Sequence, residues 1–367
     1  MDAPRLLIGD GRRLDHLDGY RGLASLIVIG HHYFMMSYFE NLEGKAPWIM
    51  RLLFQSYGII DYFFVLSGWL IGTILLSNKN SPHFFKTFYI RRAARVLPLY
   101  FLVVIVYLFF SKTYEKNFPW LFNDPLIPLW AYPFALQTLF GGMIGTLGDR
   151  FIYVTWSVIV EFHFYIMAPW IVRFVSKQGM IVFYIFLVAL AFYLRFLIPG
   201  EARVWERTLI FWRPEAIFGG LLISYFTFDG TIFKMKKYFF WLIYFILLPG
   251  IILMAFDFYF GKFLYTWMSF TAMAFFAALL VWPGWLEKFF SWKPLCWLGE
   301  ISYSTYLWHV PALGVFFQWV YNSEPFAYRS EGFVPACICL AATLVMAGLS
   351  YRFIEMPFLK WGKKYSY

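Results

Sequence analysis

The sequence contains few charged residues and few cysteines. Only 14% of its 367 residues are charged, whereas soluble domains are about one quarter charged, and 61% are hydrophobic with a mean hydropathy of +0.62. Among the three cysteines, Cys337 and Cys339 lie two residues apart on a predicted helix and point to different sides, so a disulfide between them is not expected. No cysteine–histidine spacing typical of a metal site is present. We therefore predict neither an ordinary soluble domain nor a metal centre.

Several sequence motifs of soluble enzymes are also absent. There is no Walker sequence and no dinucleotide fingerprint, and Ser67-Gly68 is not set in the Gly-x-Ser-x-Gly elbow of a serine nucleophile. The simplest interpretation of Ser67 and Gly68 is close packing of helices through small residues. No internal repeat or soluble domain is visible, so residues 1–367 are predicted to form one membrane domain. The first long apolar run lacks a small-residue cleavage site, so we expect it to be retained as a first span.

Long apolar runs are the main feature of the chain. They recur with lengths of roughly 16 to 22 residues, and they predict helices because a backbone in lipid must satisfy its own hydrogen bonds. Aromatic residues make up 24% of the sequence, and many lie near the ends of the runs, as in interfacial belts. The predicted fold is an all-α, polytopic membrane bundle of about ten spans. We place them at about 20–37, 57–77, 96–111, 154–173, 179–198, 209–228, 238–257, 261–282, 298–320 and 333–354.

The segment 125–141 is ambiguous, and the distribution of charge decides whether it spans. Its three prolines, Pro125, Pro128 and Pro133, argue against a regular spanning helix. If it does not span, both termini lie on one side of the membrane, and about two thirds of the 31 lysines and arginines lie on that side as well. The positive-inside rule then predicts that this side is cytoplasmic. Residues 112–153 then form a long extracytoplasmic or re-entrant segment. The net charge of +10 is thus a topology signal of a plasma (inner) membrane protein, not of nucleic-acid binding.

The first apolar run carries a histidine at mid-depth. On a helix, Arg21 and His32 return to within roughly 20° of the same face, about 16 Å apart along the axis, whereas His31 is turned away by about 100°. An imidazole at that depth is a candidate for proton transfer, because polar groups in hydrocarbon are costly. The alternative is a histidine bonded to a neighbouring helix without chemistry.

Two arginines precede the third span on one helical face. Arg92 and Arg95 are i,i+3 neighbours, and guanidinium groups match phosphate oxygens with a bidentate fork. This pattern favours a site for a phosphate-bearing cytoplasmic ligand. The alternatives are positive-inside anchoring and contact with lipid head groups.

A glutamate and a second histidine lie deep in two further spans. Glu161 falls about two turns into its span from the outer side, where a carboxylate normally faces a cavity or a partner. It either orients a histidine or substrate, or pairs structurally with an arginine such as Arg195 or Arg213. His309 lies at the same depth as His32, so we predict that two histidines and Glu161 converge from three helices, although a packing role for His309 stays open.

These residues together resemble the motifs of the acyltransferase-3 membrane family. The resemblance rests on Asp18-Gly19-Tyr20-Arg21-Gly22 followed by His32, on Phe63-Phe64-Val65-Leu66-Ser67-Gly68, on Arg92 and Arg95 before Pro98 and Tyr100, on Trp156-Ser157 with Glu161 and Tyr165, and on Ile301-Ser302-Tyr303 with Tyr306 and His309. The motifs occur in order over residues 15 to about 357. The chain departs from the family at His31, where an apolar or aromatic residue is usual. It also shows no hydrolase-like extra domain of the kind that some members carry, which leaves the acceptor undefined.

The resemblance implies transfer of an acyl group, mostly acetyl, from cytoplasmic acyl-CoA to a hydroxyl of an extracytoplasmic glycan or lipid-linked sugar. It implies His32 as the catalytic histidine and Arg92 and Arg95 as binders of the coenzyme A phosphates, and we group Arg21 and Ser67 with this donor site. We expect His32 to act as general base, with Glu161 or His309 orienting the base or the acceptor. A covalent acetyl-histidine relay stays open. The expected partners are acetyl-CoA, the sugar acceptor and membrane lipids.

Asp18 is excluded as a direct partner of His32, because about 21 Å of straight helix separates them, and it is expected to pair with Arg21 instead. A transporter or flippase of a glycan or acyl group is the competing function, since deep polar residues suit it as well. It should show internal symmetry between halves, which the sequence lacks. A non-catalytic scaffold would leave the three deep polar groups unexplained.

Overall fold

The computed structural model describes residues 15–35, 58–197, 209–235, 263–282, 284–326 and 330–367, and the regular elements in these ranges are helices, which confirms the all-α class. The first half contains α1 (Asp15–Gly30), α2 (Ile60–Ser77), α3 (Phe84–Thr113), α4 (Gln137–Ile144), α5 (Thr155–Phe174) and α6 (Lys177–Leu197). The second half contains α7 (Glu215–Phe228), α8 (Thr231–Lys234), α9 (Leu264–Val281), α10 (Trp285–Phe290), α11 (Lys293–Glu300), α12 (Ser302–Tyr321), α13 (Ser330–Ser350) and α14 (Met356–Gly362). A π turn, His31–Met35, extends α1, and a second, Tyr351–Glu355, joins α13 to α14.

Several of these helices are long and apolar enough to cross a membrane. In the described part of the chain they are α2, α3, α5, α6 and the continuous run Glu331–Gly362. Two shorter apolar helices, α7 and Tyr265–Val281 of α9, accompany them. The protein is therefore a multi-pass membrane protein. The count of about ten spans and the side of each terminus stay predictions, and the predicted span 238–257 lies outside the described residues.

Two predicted spans have different bounds in the structure. The third begins at Phe84 rather than near residue 96, so α3 runs unbroken for 30 residues through Pro98 and includes both arginines. Its first turns bear charged side chains, among them the exposed Lys86, so hydropathy alone missed them. The span predicted at 298–320 is divided at Ile301, after which Ser302 donates a hydrogen bond from its hydroxyl to the Gly299 carbonyl at 2.9 Å.

Between α3 and α5 the chain folds back onto the end of α3. The Tyr107 hydroxyl donates to Asp149 Oδ2 at 2.9 Å, and the Asp124 backbone N–H donates to Asp149 Oδ1 at 2.8 Å. Burial raises the pKa of the Asp149 carboxyl, although both of these bonds act to lower it. The eight residues of α4 extend only about 12 Å, too short to cross a bilayer.

Glycines set the closest helix crossings around the site. A Cβ on Gly68 of α2 would lie 2.0 Å from the Ile217 carbonyl oxygen of α7, and a Cβ on Gly220 would lie 2.1 Å from the Val65 carbonyl oxygen. The same arrangement joins α1 to α11 through Gly22. Small residues let transmembrane backbones approach closely. These crossings place Arg21 and Ser67, each adjacent to one of these glycines, at fixed positions.

Candidate active site

A cavity of about 260 Å³ lies among α1, α2, α3, α5 and α12. Its walls contain all four residues predicted to bind the donor, together with Glu161 and an apolar side formed by α2. The polar side chains are Arg21, Ser67, Arg92, Arg95, Ser157, Glu161, Tyr165, Ser302, Tyr303 and Tyr306. Three guanidinium groups thus share one pocket with a single carboxylate, which favours an anionic ligand.

Glu161 is held by two hydroxyl groups. Its Oε1 accepts hydrogen bonds from Ser67 Oγ of α2 and from the Tyr165 hydroxyl one turn further along α5, both at 2.5 Å. The Glu161 carboxylate also interacts electrostatically with Arg21. The predicted alternative of an ion pair with Arg195 or Arg213 is wrong, because these two arginines have other carboxylate partners.

Those partners form two buried ion pairs away from the cavity. Arg195 Nη2 lies 2.8 Å from Glu215 Oε1, and Arg213 Nη2 lies 2.8 Å from Asp61 Oδ2. All four side chains are at most 3% exposed. The pairs join α6 to the start of α7, and α2 to the residues before α7, so they fix the frame of the bundle.

Arg92 is oriented by aromatic rings and keeps an unused donor. Its guanidinium lies 5.9 Å from the Phe88 ring centroid and 6.0 Å from the Tyr165 ring centroid, which favours cation–π contact. Its Nε is buried and has no hydrogen-bond partner among the described residues. A buried donor without a partner costs about 1–3 kcal/mol, so Arg92 suits a site that receives an acceptor such as phosphate.

Arg95 and Arg21 complete the positive wall. The charge of Arg95 acts on Arg21 and also on Glu355 of the second π turn, whose Oε1 accepts a hydrogen bond from Ser304 Oγ. Arg21 pairs with Asp18 at 3.5 Å, which confirms the predicted i,i+3 pair. All three arginine side chains line the cavity.

The two predicted histidines meet each other. His309 Nε2 lies 3.1 Å from His32 Nδ1, and the ring centroids are 4.8 Å apart. His309 Nδ1 lies 2.6 Å from the Tyr306 carbonyl oxygen, and His32 Nδ1 lies 3.0 Å from the Val28 carbonyl oxygen. Because a carbonyl oxygen only accepts, Nδ1 carries the hydrogen in each neutral ring. The lone pair of His309 then accepts from His32, and the lone pair of His32 is on Nε2, where a general base needs it.

A π turn brings His32 to this position. The α-helical hydrogen bonding of α1 ends at Gly30, and the wider turn over His31–Met35 rotates the following side chains relative to Arg21. Arg21 lines the cavity, whereas His32 is hydrogen-bonded to His309. His31 is buried, and its ring is perpendicular to that of His32 at 5.3 Å.

Tyr306 forms a common wall between the cavity and the histidine pair. Its hydroxyl donates to the Val154 carbonyl at 2.9 Å and lies 2.7 Å from Ser157 Oγ, while its own carbonyl accepts from His309. Neither histidine lines the cavity, although Tyr306 and Ser157 do. The structure therefore brings His32 and His309 together but places Glu161 with the arginines, so the three predicted deep residues form two groups.

Comparisons with known proteins bear directly on this arrangement. The family model described as an acyltransferase domain matches residues 14–352, a range that contains the arginines, Glu161 and both histidines. The chain belongs to the acyltransferase-3 family. It is 26% identical to the peptidoglycan O-acetyltransferase OatA of Listeria monocytogenes over 94% of this chain, and 27% identical to the O-acetyltransferase OatA of Staphylococcus aureus over 99% of it. It spans only 56% and 59% of those relatives. No solved structure matches the chain.

Sequence reasoning missed several polar residues of this acyltransferase-3 chain. Asp61 and Glu215 lie near the ends of predicted spans. Because a carboxylate in a span is expected to have a partner, both could have been predicted as members of buried ion pairs. Tyr33 follows His32 directly, is fully buried, and donates from its hydroxyl to the His309 carbonyl at 2.9 Å. This bond joins the backbone of His309 to the residue that follows His32. A single sequence contains no pattern that predicts this contact.

Proposed function

We propose that the protein transfers an acetyl group from cytoplasmic acetyl-CoA to a hydroxyl of a cell-envelope glycan on the opposite side of the plasma membrane. The observation that carries this proposal is the adjacency of an arginine-lined cavity and a histidine pair with Tyr306 between them. The relatives named O-acetyltransferase and peptidoglycan O-acetyltransferase support the reaction class and make peptidoglycan the first acceptor to test.

The donor is proposed to bind with its phosphates at Arg92 and Arg95. The unpartnered Nε of Arg92 and the nearby charge of Arg21 support an anionic group there. The pantetheine arm then follows the apolar wall of α2 toward Tyr306, because an uncharged chain suits Phe63, Phe64 and Ile71. Glu161, fixed by Ser67 and Tyr165, is proposed to offset the arginine charge and to orient the donor rather than the base.

His32 is proposed to act as general base through Nε2. It takes the proton of the acceptor hydroxyl as the hydroxyl oxygen bonds to the acetyl carbon, the carbon–sulfur bond breaks, and the coenzyme A thiolate receives that proton. When Nε2 is protonated, the Nδ1–H bonds to His309 and to the Val28 carbonyl become charge-assisted and stronger. His309 is thus proposed to orient and stabilise His32. A covalent acetyl-histidine relay would use the same nitrogen.

Calorimetric titration of the purified protein with coenzyme A tests the donor site. A charge-assisted contact contributes about 1.5–3 kcal/mol, so Arg92→Ala or Arg95→Ala should each weaken binding by roughly 10- to 150-fold. Lysine at either position should restore part of the loss, since it keeps the charge without the fork. Arg173→Ala is the matched control, because this arginine is exposed at the end of α5 and donates to the Lys79 carbonyl outside the cavity.

Equal affinity of all these variants would leave Arg92 and Arg95 as topology anchors. If the wild-type protein acetylates glycan but binds no coenzyme A, the donor assignment is wrong. Movement of acetylated material without any acetyl transfer would support a transporter instead.

A further inference from the structure

The residues after α14 pack against the arginine-bearing turn of α3. Arg91 Nε donates to the Tyr365 carbonyl at 2.8 Å, and Thr87 Oγ1 donates to the Ser366 carbonyl at 2.7 Å. A Cβ on Gly362 would lie 3.0 Å from Ala94 Cβ. The segment 362–367 is therefore fixed alongside three successive turns of α3.

These contacts place the Tyr367 ring beside Arg91 and near Arg92. The Arg91 guanidinium lies 5.2 Å from the Tyr367 ring centroid, a cation–π distance. Burial raises the pKa of the Tyr367 phenol, whereas the charges of Arg92 and Arg91 act to lower it, so the phenol is near both arginines. Tyr367 is half-buried, which leaves part of its side chain accessible.

Tyr367 lies beside the cavity and not inside it. Arg92 contributes to the cavity wall, but neither Arg91 nor Tyr367 does. Because Arg91 directly precedes Arg92 in α3, a ligand whose phosphates contact Arg92 and Arg95 and whose arm extends toward Tyr306 can place its remaining end beside Arg91. In coenzyme A that end is a 3′-phosphoadenosine, and an aromatic ring supported by a guanidinium is a suitable stacking surface for its base.

We propose that Tyr367, positioned by Arg91, stacks on the adenine of coenzyme A and thereby distinguishes the complete donor from shorter phosphopantetheine compounds. This inference rests on the proposed donor site at Arg92 and Arg95. Arg91 is a positioning residue here, because its guanidinium holds Tyr367 and the Tyr365 carbonyl.

Two ligands separate recognition of the nucleotide end of coenzyme A from recognition of its pantetheine phosphate. Calorimetry with coenzyme A and with 4′-phosphopantetheine, which lacks the adenosine together with two of the three phosphates, is performed on the wild type, Tyr367→Ala, Tyr367→Phe and Arg91→Gln. Tyr367→Ala should weaken coenzyme A binding by about 5- to 150-fold, the usual range for losing one stacked base, and leave phosphopantetheine binding unchanged. Tyr367→Phe should bind like the wild type, because stacking uses the ring. Arg91→Gln should lose part of the preference for coenzyme A.

The exposed Tyr321 at the end of α12 provides the matched control, and Tyr321→Ala should bind both ligands normally. Unchanged phosphopantetheine binding also shows that Tyr367→Ala is folded. Equal weakening of both ligands, or tighter coenzyme A binding by Tyr367→Ala, would overturn the stacking role. A wild type that binds neither ligand would instead overturn the donor site itself.

Discussion

At the scale of single residues, two adjacent histidines have different surroundings and should have different roles. His32 shares a hydrogen bond with His309 and is the proposed base, whereas the ring of His31 lies edge to face against that of His32. We expect His32→Ala to lower acetyl transfer by about 10²- to 10⁴-fold, the usual effect of removing a general base, and His31→Ala to keep most of the activity. The measurement is mass spectrometry of envelope glycans from cells that express each variant at equal level.

His309→Gln provides a graded comparison in the same assay. Glutamine keeps a hydrogen-bond acceptor but not the ring, so an intermediate loss is expected. Loss of activity in His31→Ala with full activity in His32→Ala would move the catalytic role to the neighbouring residue.

Some contacts of single residues were predictable and others were not. Counting along helices was enough to place Arg92 and Arg95 on one face and to bring His32 and His309 to one depth. The Ser67 partner of Glu161 was not predictable, because it comes from another helix and is uncharged, whereas Tyr165 lies one turn further along the same helix. Arg195 and Arg213 were candidate partners by charge alone, but Glu215 and Asp61 are closer in the folded bundle.

At the scale of helices, ideal periodicity fails where the backbone departs from the α-helix. The projection that put Arg21 and His32 on one face assumes 100° per residue, and the π turn after Gly30 changes that angle. The same limit applies at Ile301, where α11 ends and α12 begins. Hydropathy predicts that a span exists, but the bounds of its helix depend on contacts such as the one between Ser302 and Gly299.

The crossing of α2 and α7 gives a prediction about stability. Gly68→Ala puts a methyl group 2.0 Å from a backbone carbonyl, so the helices must separate, and such overpacking typically costs about 1–3 kcal/mol. The melting temperature of the purified protein in detergent should fall. Coenzyme A binding should weaken as well, because the neighbouring Ser67 would move relative to Glu161.

Gly348→Ala serves as the control for this substitution. A Cβ there meets only Trp297 Cζ2 at 3.9 Å, an ordinary contact distance, so its melting temperature should not fall. If both variants melt at the same temperature, the α2–α7 crossing is not as tight as the structure indicates.

At the scale of the whole molecule, the charge asymmetry and the proposed donor site predict the same orientation of α3 in the membrane. The proposed donor is cytoplasmic, so the start of α3, which bears Arg91, Arg92 and Arg95, must be cytoplasmic as well. The positive-inside rule predicts the same orientation independently of any catalytic argument. Helix content and the multi-pass class were predictable from composition. The division of the deep polar residues into a cavity and a histidine pair was not, since it depends on how Tyr306 of α12 packs against the start of α5.

Cysteine labelling in cells tests this orientation. Lys86 and Lys116 are both exposed, and they lie near the two ends of α3, whose 30 residues extend about 45 Å. In a background with Cys296, Cys337 and Cys339 replaced, a membrane-impermeant maleimide should label Lys116→Cys in intact cells. It should label Lys86→Cys only after the membrane is opened, and the same holds for Lys236→Cys, whose residue lies outside the described ranges.

Because Lys86 and Lys116 are similarly exposed, a difference in labelling between them reports the side of the membrane. Labelling of both residues from outside would show that α3 does not span. Labelling of Lys86→Cys alone would show the opposite orientation, with the start of α3 outside, where cytoplasmic acetyl-CoA cannot reach the arginine cavity.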